Sequence, residues 1–364
     1  MTSSDVAAGR VRKPFIIPVF IPHAGCPHRC VFCSQEEITR EPSGTASADA
    51  VSERIETFLR FKGANRGEVQ VSFYGGNFLG LPHEEIRRLL AAADRYVRAG
   101  SVDGIRFSTR PDTITPDRLD LLSEFPVAVV ELGVQSMDDG VLAESERGHT
   151  AADTRRAVGQ LQSRGLLVGL QMMAGLPGDT PEKSLETARA MAALSPDFVR
   201  IYPTLVLKHS LLAAWHRQGR YVPLTLQAAV SQVARLHKFF VRKGIPVIRM
   251  GLQASESLDD PGTVVAGPYH PAFGHLVHSH HFLSCAARLL EKGPALRDPV
   301  VIQVHPRNIS RMRGVGNKNI EILKEMLHIH CIMVIPNPEV SMTAVRINQT
   351  GEIYDQPPGE PSDQ

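Results

Sequence analysis

Three cysteines fall within eight residues, in the string Gly25-Cys26-Pro27-His28-Arg29-Cys30-Val31-Phe32-Cys33, and no other stretch of the chain is as well suited to chemistry. Thiolates at C-x-x-x-C-x-x-C spacing in one loop can wrap a single metal centre. A structural zinc ion takes four ligands, usually from two paired knuckles. A second knuckle is absent here, so zinc would have to borrow a distant His or Cys. A four-iron cubane suits the triplet better, because three cysteines leave one iron open to a small bidentate ligand that can receive an electron. The bland alternative is three buried cysteines that bind nothing. Cys285 and Cys331 stand apart, so the pattern is no disulfide framework, and Cys285 reads as a small buried hydrophobe.

The loop follows an apolar run, Phe15 to Phe20, that opens a repeating order. Further apolar runs at Glu68 to Tyr74, Gly104 to Thr109, Val127 to Leu132, Leu166 to Met173 and Phe198 to Tyr202 alternate with amphipathic stretches. Those lie at Asp49 to Phe61, His83 to Arg98, Pro116 to Ser123, Thr150 to Arg164, Pro181 to Leu194 and Ser210 to Arg217. Strand-plus-helix units in series predict parallel strands with right-handed crossovers, because no hairpin reaches a parallel neighbour. The expected fold class is α/β, a partial (β/α)6 barrel over 14–205. A helical and α/β extension follows over 206–355, with loose tails at 1–13 and 356–364. The extension holds a long helix, Leu224 to Arg242, a strand at Pro246 to Met250, a helix at Phe273 to Leu290 and a small unit from Val300 to Tyr354. In barrels of this kind, chemistry gathers at the C-terminal ends of the strands.

Composition narrows the class. With 43% hydrophobic and 21% charged residues in 364, the chain has ample core for a globular protein. Forty Lys and Arg against 38 Asp and Glu give a net charge of +2, so no global field points to nucleic acid. Met1 to Lys13 lacks the apolar core of a secretory signal, and no run approaches the ~18 apolar residues of a membrane span. The expectation is a cytoplasmic protein with reduced thiols and no membrane contact.

The triplet, the aromatic before its last cysteine and its place after the first strand resemble the radical S-adenosylmethionine superfamily, specifically its Elongator catalytic-subunit-like group. The resemblance extends over 14–345. It is carried by Phe73-Tyr74-Gly75-Gly76-Asn77-Phe78, Ser108-Thr109-Arg110-Pro111-Asp112, Glu131-Leu132-Gly133-Val134-Gln135-Ser136, Arg147-Gly148-His149-Thr150 and Arg200-Ile201-Tyr202-Pro203-Thr204. It implies that Cys26, Cys30 and Cys33 hold a 4Fe-4S cluster whose open iron chelates S-adenosyl-L-methionine, and that one-electron reduction yields methionine and a 5′-deoxyadenosyl radical. Gly75, Gly76 and Asn77 would meet the methionine amino group, and Glu131, Gln135 and Ser136 the ribose. Arg147 has the fork for the carboxylate. Ser108 and Arg110, ending the third strand, sit at the face for cofactor or substrate. Each has a structural alternative: a turn for the glycines, a satisfied buried acid for Glu131, a surface cation for Arg147. Gly169, Gln171 and Gly175 to Gly178 leave room for adenine or form a turn.

Outside the barrel, His270, His275, His278, His280 and His281 crowd one stretch. They suggest a second metal or, more simply, packing, with Tyr269 and His270 as cavity candidates. Arg307, Arg311, Arg313 and Lys318 flank Gly314-Val315-Gly316-Asn317, which looks like a helix-hairpin-helix turn whose amides cradle phosphate, so RNA contact is one expectation and a solvated helix the other. The predicted function is hydrogen abstraction from an unidentified substrate, fed by a low-potential donor such as flavodoxin or ferredoxin. The alternatives are a tRNA-modifying enzyme with separate partners, a porphyrinogen-oxidase-like decarboxylase, and a non-catalytic metal- or RNA-binding module. The Elongator catalytic subunit carries an acetyltransferase domain after its barrel; the residues after Leu290 show no Gly-rich acetyl-CoA loop, and the long basic N-terminal region of that family is missing, so its wobble-uridine chemistry is not expected to carry over.

Overall fold

The computed structural model describes residues 14–40, 43–63, 67–253, 255–292 and 299–347, so both expected tails lie outside the described residues. The chain divides into two compact units, 1–171 and 172–364.

In the first unit, β1 (Phe15–Phe20) leads into the cysteine loop, α1 (Gln35–Thr39) and α2 (Ala48–Lys62). Then follow β2 (Val69–Tyr74), α3 (His83–Arg98), β3 (Gly104–Thr109), α4 (Pro116–Leu122), β4 (Val127–Gln135), α5 (Asp139–Glu144), α6 (Ala151–Ser163) and β5 (Leu167–Ala174), which ends in the second unit. β1 pairs in parallel with β2, β2 with β3 and β3 with β4. Alternation along the strands separates two faces. On one, Val71, Phe73, Ile105, Phe107, Val130 and Leu132 are fully buried; Phe78 stacks on Phe107 at 4.5 Å between centroids. On the other, in register, stand Gln70, Ser72 and Tyr74, then Arg106 and Ser108, then Glu131 and Gln135. The helices start where side chains supply caps: Ser47 accepts from Ala50 N, and Thr150 with Asp153 forms a capping box.

The second unit contains α7 (Pro181–Ala193), β6 (Phe198–Pro203), β7 (Val206–Leu207), α8 (Leu211–Arg217), α9 (Leu226–Arg242), β8 (Val247–Met250), α10 (Glu256–Asp259), β9 (Val264–Ala266) and α11 (Phe273–Lys292). It ends with β10 (Val300–Val304), α12 (Ile309–Arg313), α13 (Lys318–Leu327), β11 (Ile332–Pro336) and β12 (Arg346–Ile347). The main sheet has seven strands in the order β1-β2-β3-β4-β5-β6-β8, the chain-order winding of an open (β/α) barrel. The strand expected in the extension is thus the seventh strand of the main sheet, paired in parallel with β6. β11-β10-β12 form a separate mixed sheet, with Phe282, Ala286 and Leu290 of α11 in one core with Val300, Ile302 and Val304.

Four of the five crowded histidines lie on α11, and the structure adds a partner no local pattern announced. His237 of α9 sits with its Nδ1 3.1 Å from His281 Nε2 and its ring edge-on to His278 at 5.2 Å. Burial, with Arg311 adding, pushes His237 down to about 4; burial, with His237, His278, His280 and Lys238 adding, pushes His281 down to about 3. Both rings are therefore neutral in the folded state near pH 7. Because the folded values lie below the ordinary ~6.5, stability is full above that value and falls as pH drops toward 4. We predict that thermal unfolding followed between pH 7.5 and 5 will lose up to a few kcal/mol. The slope will flatten in His281→Phe; an equal slope in that variant contradicts the assignment.

Candidate active site

The cysteine loop is a backbone construction before it is a chemical one. Ile21 N donates to Tyr74 O at 2.8 Å and Asn77 N to Ala24 O at 2.8 Å, which ties the loop to the turn after β2. At Gly76 a Cβ would lie 2.5 Å from Ile21 O and 2.6 Å from Ala24 O; at Gly25 it would lie 2.2 Å from Asn77 O. Only glycines allow two backbones to approach this closely. Asn77 is fully buried: its Nδ2 donates to Gly25 O at 2.8 Å, and its Oδ1 accepts from Thr109 Oγ1, Thr113 Oγ1 and Arg110 N at 2.7, 2.9 and 3.0 Å. Both polar side-chain atoms of Asn77 are thus engaged by protein, and this side chain positions the loop.

From the other side, the segment before α6 grips the loop. Val31 N donates to Ser145 O at 3.2 Å and His28 Nε2 to Glu146 O at 2.9 Å. Arg147, only 7% exposed, donates through Nη2 to Gly133 O at 2.7 Å and through Nη1 to Cys30 Sγ at 3.4 Å. Cys30 is buried; Cys26 and Cys33 are half-buried. Burial raises the Cys26 thiol, with the Arg147 charge opposing, and pushes Cys33 up to about 12, with Cys30 and Cys26 adding. The sulfurs are thus close enough to feel one another. Among the described residues, however, no side chains close around a single metal-sized point. Three thiolates from one loop suit a cluster, on which each would hold a different iron. Loading such a site expels the thiol protons.

The residues also fit an anionic ligand beside the loop. Arg110, 2% exposed, holds Asp112 in a fork at 2.9 Å through Nε and Nη2, while its Nη1 is buried with no partner among the described residues. Arg147 Nε is orphaned in the same way. Two buried guanidinium N–H groups beside the thiols suit a carboxylate. His149 bonds Val134 O at 3.2 Å through Nε2 and is pushed down to about 3 by burial, with Arg147 adding, so it is neutral.

Farther along the polar face, Glu131 Oε1 accepts from Arg106 Nε and Nη2 at 3.0 and 2.5 Å and from Tyr74 OH at 3.1 Å, while Arg106 Nη1 reaches Gln70 Oε1 at 3.1 Å. Through that oxygen Glu131 serves the buried polar network of the strand layer. Gln135 ends β4 at φ 68°, where Ser136 N turns back to Val134 O at 2.9 Å. Gln135 also accepts from Gln171 Nε2 at 3.3 Å, and Ser136 Oγ accepts from Asp138 N at 3.1 Å. Ser108 stands in register with Glu131. Sequence reasoning missed Arg106, Gln70 and Tyr74 as a network; a lone arginine inside an apolar strand was the available signal.

In the second unit, Arg307, Arg313 and Lys318 are exposed around Gly316 (φ 61°) and Asn317 (φ 64°), while Arg311 bonds Asn308 Oδ1 at 3.0 Å. Tyr269 OH donates to Asp259 Oδ1 at 2.6 Å and His270 Nδ1 accepts from Ala272 N at 3.0 Å, so these two cavity candidates serve their own loop. No helix among the described residues is long and apolar enough to cross a membrane.

Residues 20–191 match the Radical SAM superfamily and residues 196–281 the Radical SAM C-terminal domain. A tRNA uridine(34) acetyltransferase of Dehalococcoides mccartyi is 28% identical over 276 residues, covering 65% of this chain and 60% of that protein. Elongator complex protein 3 of Saccharomyces cerevisiae is 29% identical over 205 residues, covering 50% of this chain and 36% of that one. This chain thus spans less than two thirds of the length of either relative. In fold it is similar to the archaeal Methanocaldococcus infernus Elp3, with a TM-score of 0.57 at 21% identity, covering 78% of this chain and 68% of that one. Since the two matched segments take in the cysteine loop and every residue described around it, the chain belongs to the radical SAM superfamily, enzymes that work with a 4Fe-4S cluster and S-adenosylmethionine.

Proposed function

We propose that this enzyme cleaves S-adenosylmethionine reductively and abstracts hydrogen from a nucleoside of RNA. The observation that carries the first half is the Cys26, Cys30 and Cys33 loop held beside two orphaned guanidinium N–H groups. Held there, the cluster and S-adenosylmethionine would supply one-electron reductive cleavage to methionine and a 5′-deoxyadenosyl radical, with a flavodoxin or ferredoxin as the electron donor.

This chain's residues hold and orient. The three cysteines would hold the cluster; Arg110 Nη1 and Arg147 Nε would take the methionine carboxylate, and the backbone at Gly75 and Gly76 the amino group. Gln135 and Ser136 would face the ribose. Arg106, Glu131 and Tyr74 keep the wall of the site polar yet internally satisfied, and Ser108 remains available to cofactor or substrate. The site needs exclusion of water, since a reactive radical is protected only in a closed environment.

RNA as the substrate class is supported by the two relatives, whose names point to tRNA uridine and to Elongator. It is also supported by the exposed Arg307, Arg313 and Lys318 beside the Gly316–Asn317 turn, where backbone amides and cations suit phosphate. The test is incubation of the reduced enzyme with unmodified tRNA carrying deuterated nucleosides, followed by mass analysis of 5′-deoxyadenosine. Deuterium gain supports RNA; none from any RNA, with gain from a small molecule, overturns that half of the proposal.

A further inference from the structure

We infer that Arg147 sets the reduction potential of the cluster through an N–H···S bond to Cys30, apart from any contact it makes with S-adenosylmethionine. The inference rests on the cluster assignment above.

The guanidinium is placed by a dedicated fit. The backbone of Arg147 donates to Leu142 O at 2.9 Å, and Nη2 donates to Gly133 O at 2.7 Å. A Cβ at position 133 would lie 2.9 Å from that same Nη2, so the bare glycine on β4 is what admits the side chain. So anchored, Nη1 meets Cys30 Sγ at 3.4 Å, across 117 residues of sequence. Cys30 is the most enclosed of the three cysteines, and Arg147 is 7% exposed, so water screens their interaction weakly.

The chemistry follows from charge. A guanidinium does not deprotonate in a protein, so the positive charge is fixed. Its field reaches Cys26 and Cys33 as well. Hydrogen bonds to cluster sulfurs and nearby cations favour the more negative, reduced cluster, which raises its potential. Arg110 differs: its fork is closed on Asp112, which offsets its charge. Among the described residues no carboxylate pairs with Arg147. For an enzyme that must accept one electron from a weak-tension donor before anything else happens, this residue eases the first event.

The test uses the full chain, reconstituted anaerobically with iron and sulfide and titrated by electron paramagnetic resonance without S-adenosylmethionine. Arg147→Gln, matched to wild type in iron content, is expected to fall in midpoint potential by about 60 mV, a tenfold change in the one-electron equilibrium. Arg147→Lys should fall by less. Gly133→Ala keeps the charge but displaces Nη2, and should shift the potential in the same direction; it serves where Arg147→Gln does not load. An unchanged midpoint in the loaded variants, with only S-adenosylmethionine affinity weakened, overturns the inference and leaves a cofactor contact alone. Failure of the wild type to assemble a four-iron cluster would instead overturn the functional proposal beneath it.

Discussion

Cys30→Ala will abolish assembly of the four-iron cluster while leaving the fold in place. Cys30 is 6% exposed, and its backbone carries the turn to Cys33 N at 3.0 Å. Alanine keeps that backbone and loses one sulfur, for which burial terms predict about 1 kcal/mol of destabilisation. Two remaining thiolates cannot hold a cubane in place, so iron content and the charge-transfer absorption should fall to near background, together with all cleavage of S-adenosylmethionine. Circular dichroism and the thermal midpoint should change little. Full cluster content in this variant would contradict the ligand assignment.

The second large effect is on stability. Glu131→Ala will cost about 3–5 kcal/mol, because it leaves Arg106 as an uncompensated charge 5% exposed in the strand layer. Tyr74 OH loses its acceptor at the same stroke, while Gln70 Oε1 stays bonded to Arg106. Glu131→Gln keeps an acceptor and should cost less. The paired change Arg106→Met with Glu131→Leu removes both charges and should recover most of the loss, since a buried ion pair replaced by apolar side chains is often neutral. Denaturant unfolding of the four proteins measures this. A paired variant as unstable as Glu131→Ala would show that the network matters for more than its charges.

The strands and the cysteine triplet were legible in the sequence for the same reason: both are local. A run such as Val69–Tyr74 between turns, repeated with helices, leaves few arrangements besides a parallel sheet. Three cysteines within eight residues meet whatever the rest of the chain does. What stayed hidden was assembled by tertiary packing. Arg147 was read as a carboxylate ligand, and nothing in the sequence shows that it also reaches Cys30 past Gly133. His237 meets His281 only because α9 lies on α11. The apolar run of β4 ends at Leu132, yet the strand continues to Gln135 and Gly133 proves to be the space for a guanidinium. Asn77 sits at the expected turn, and only packing shows that its side chain bonds Gly25 O and Thr109 Oγ1.

The central claim, that this loop carries a cluster for reductive cleavage of S-adenosylmethionine, is tested most directly by quantifying 5′-deoxyadenosine. Protein purified and reconstituted without oxygen, then mixed with dithionite and S-adenosylmethionine, should be brown and should release 5′-deoxyadenosine and methionine in equal amounts. A colourless, zinc-loaded protein that forms neither product would contradict it.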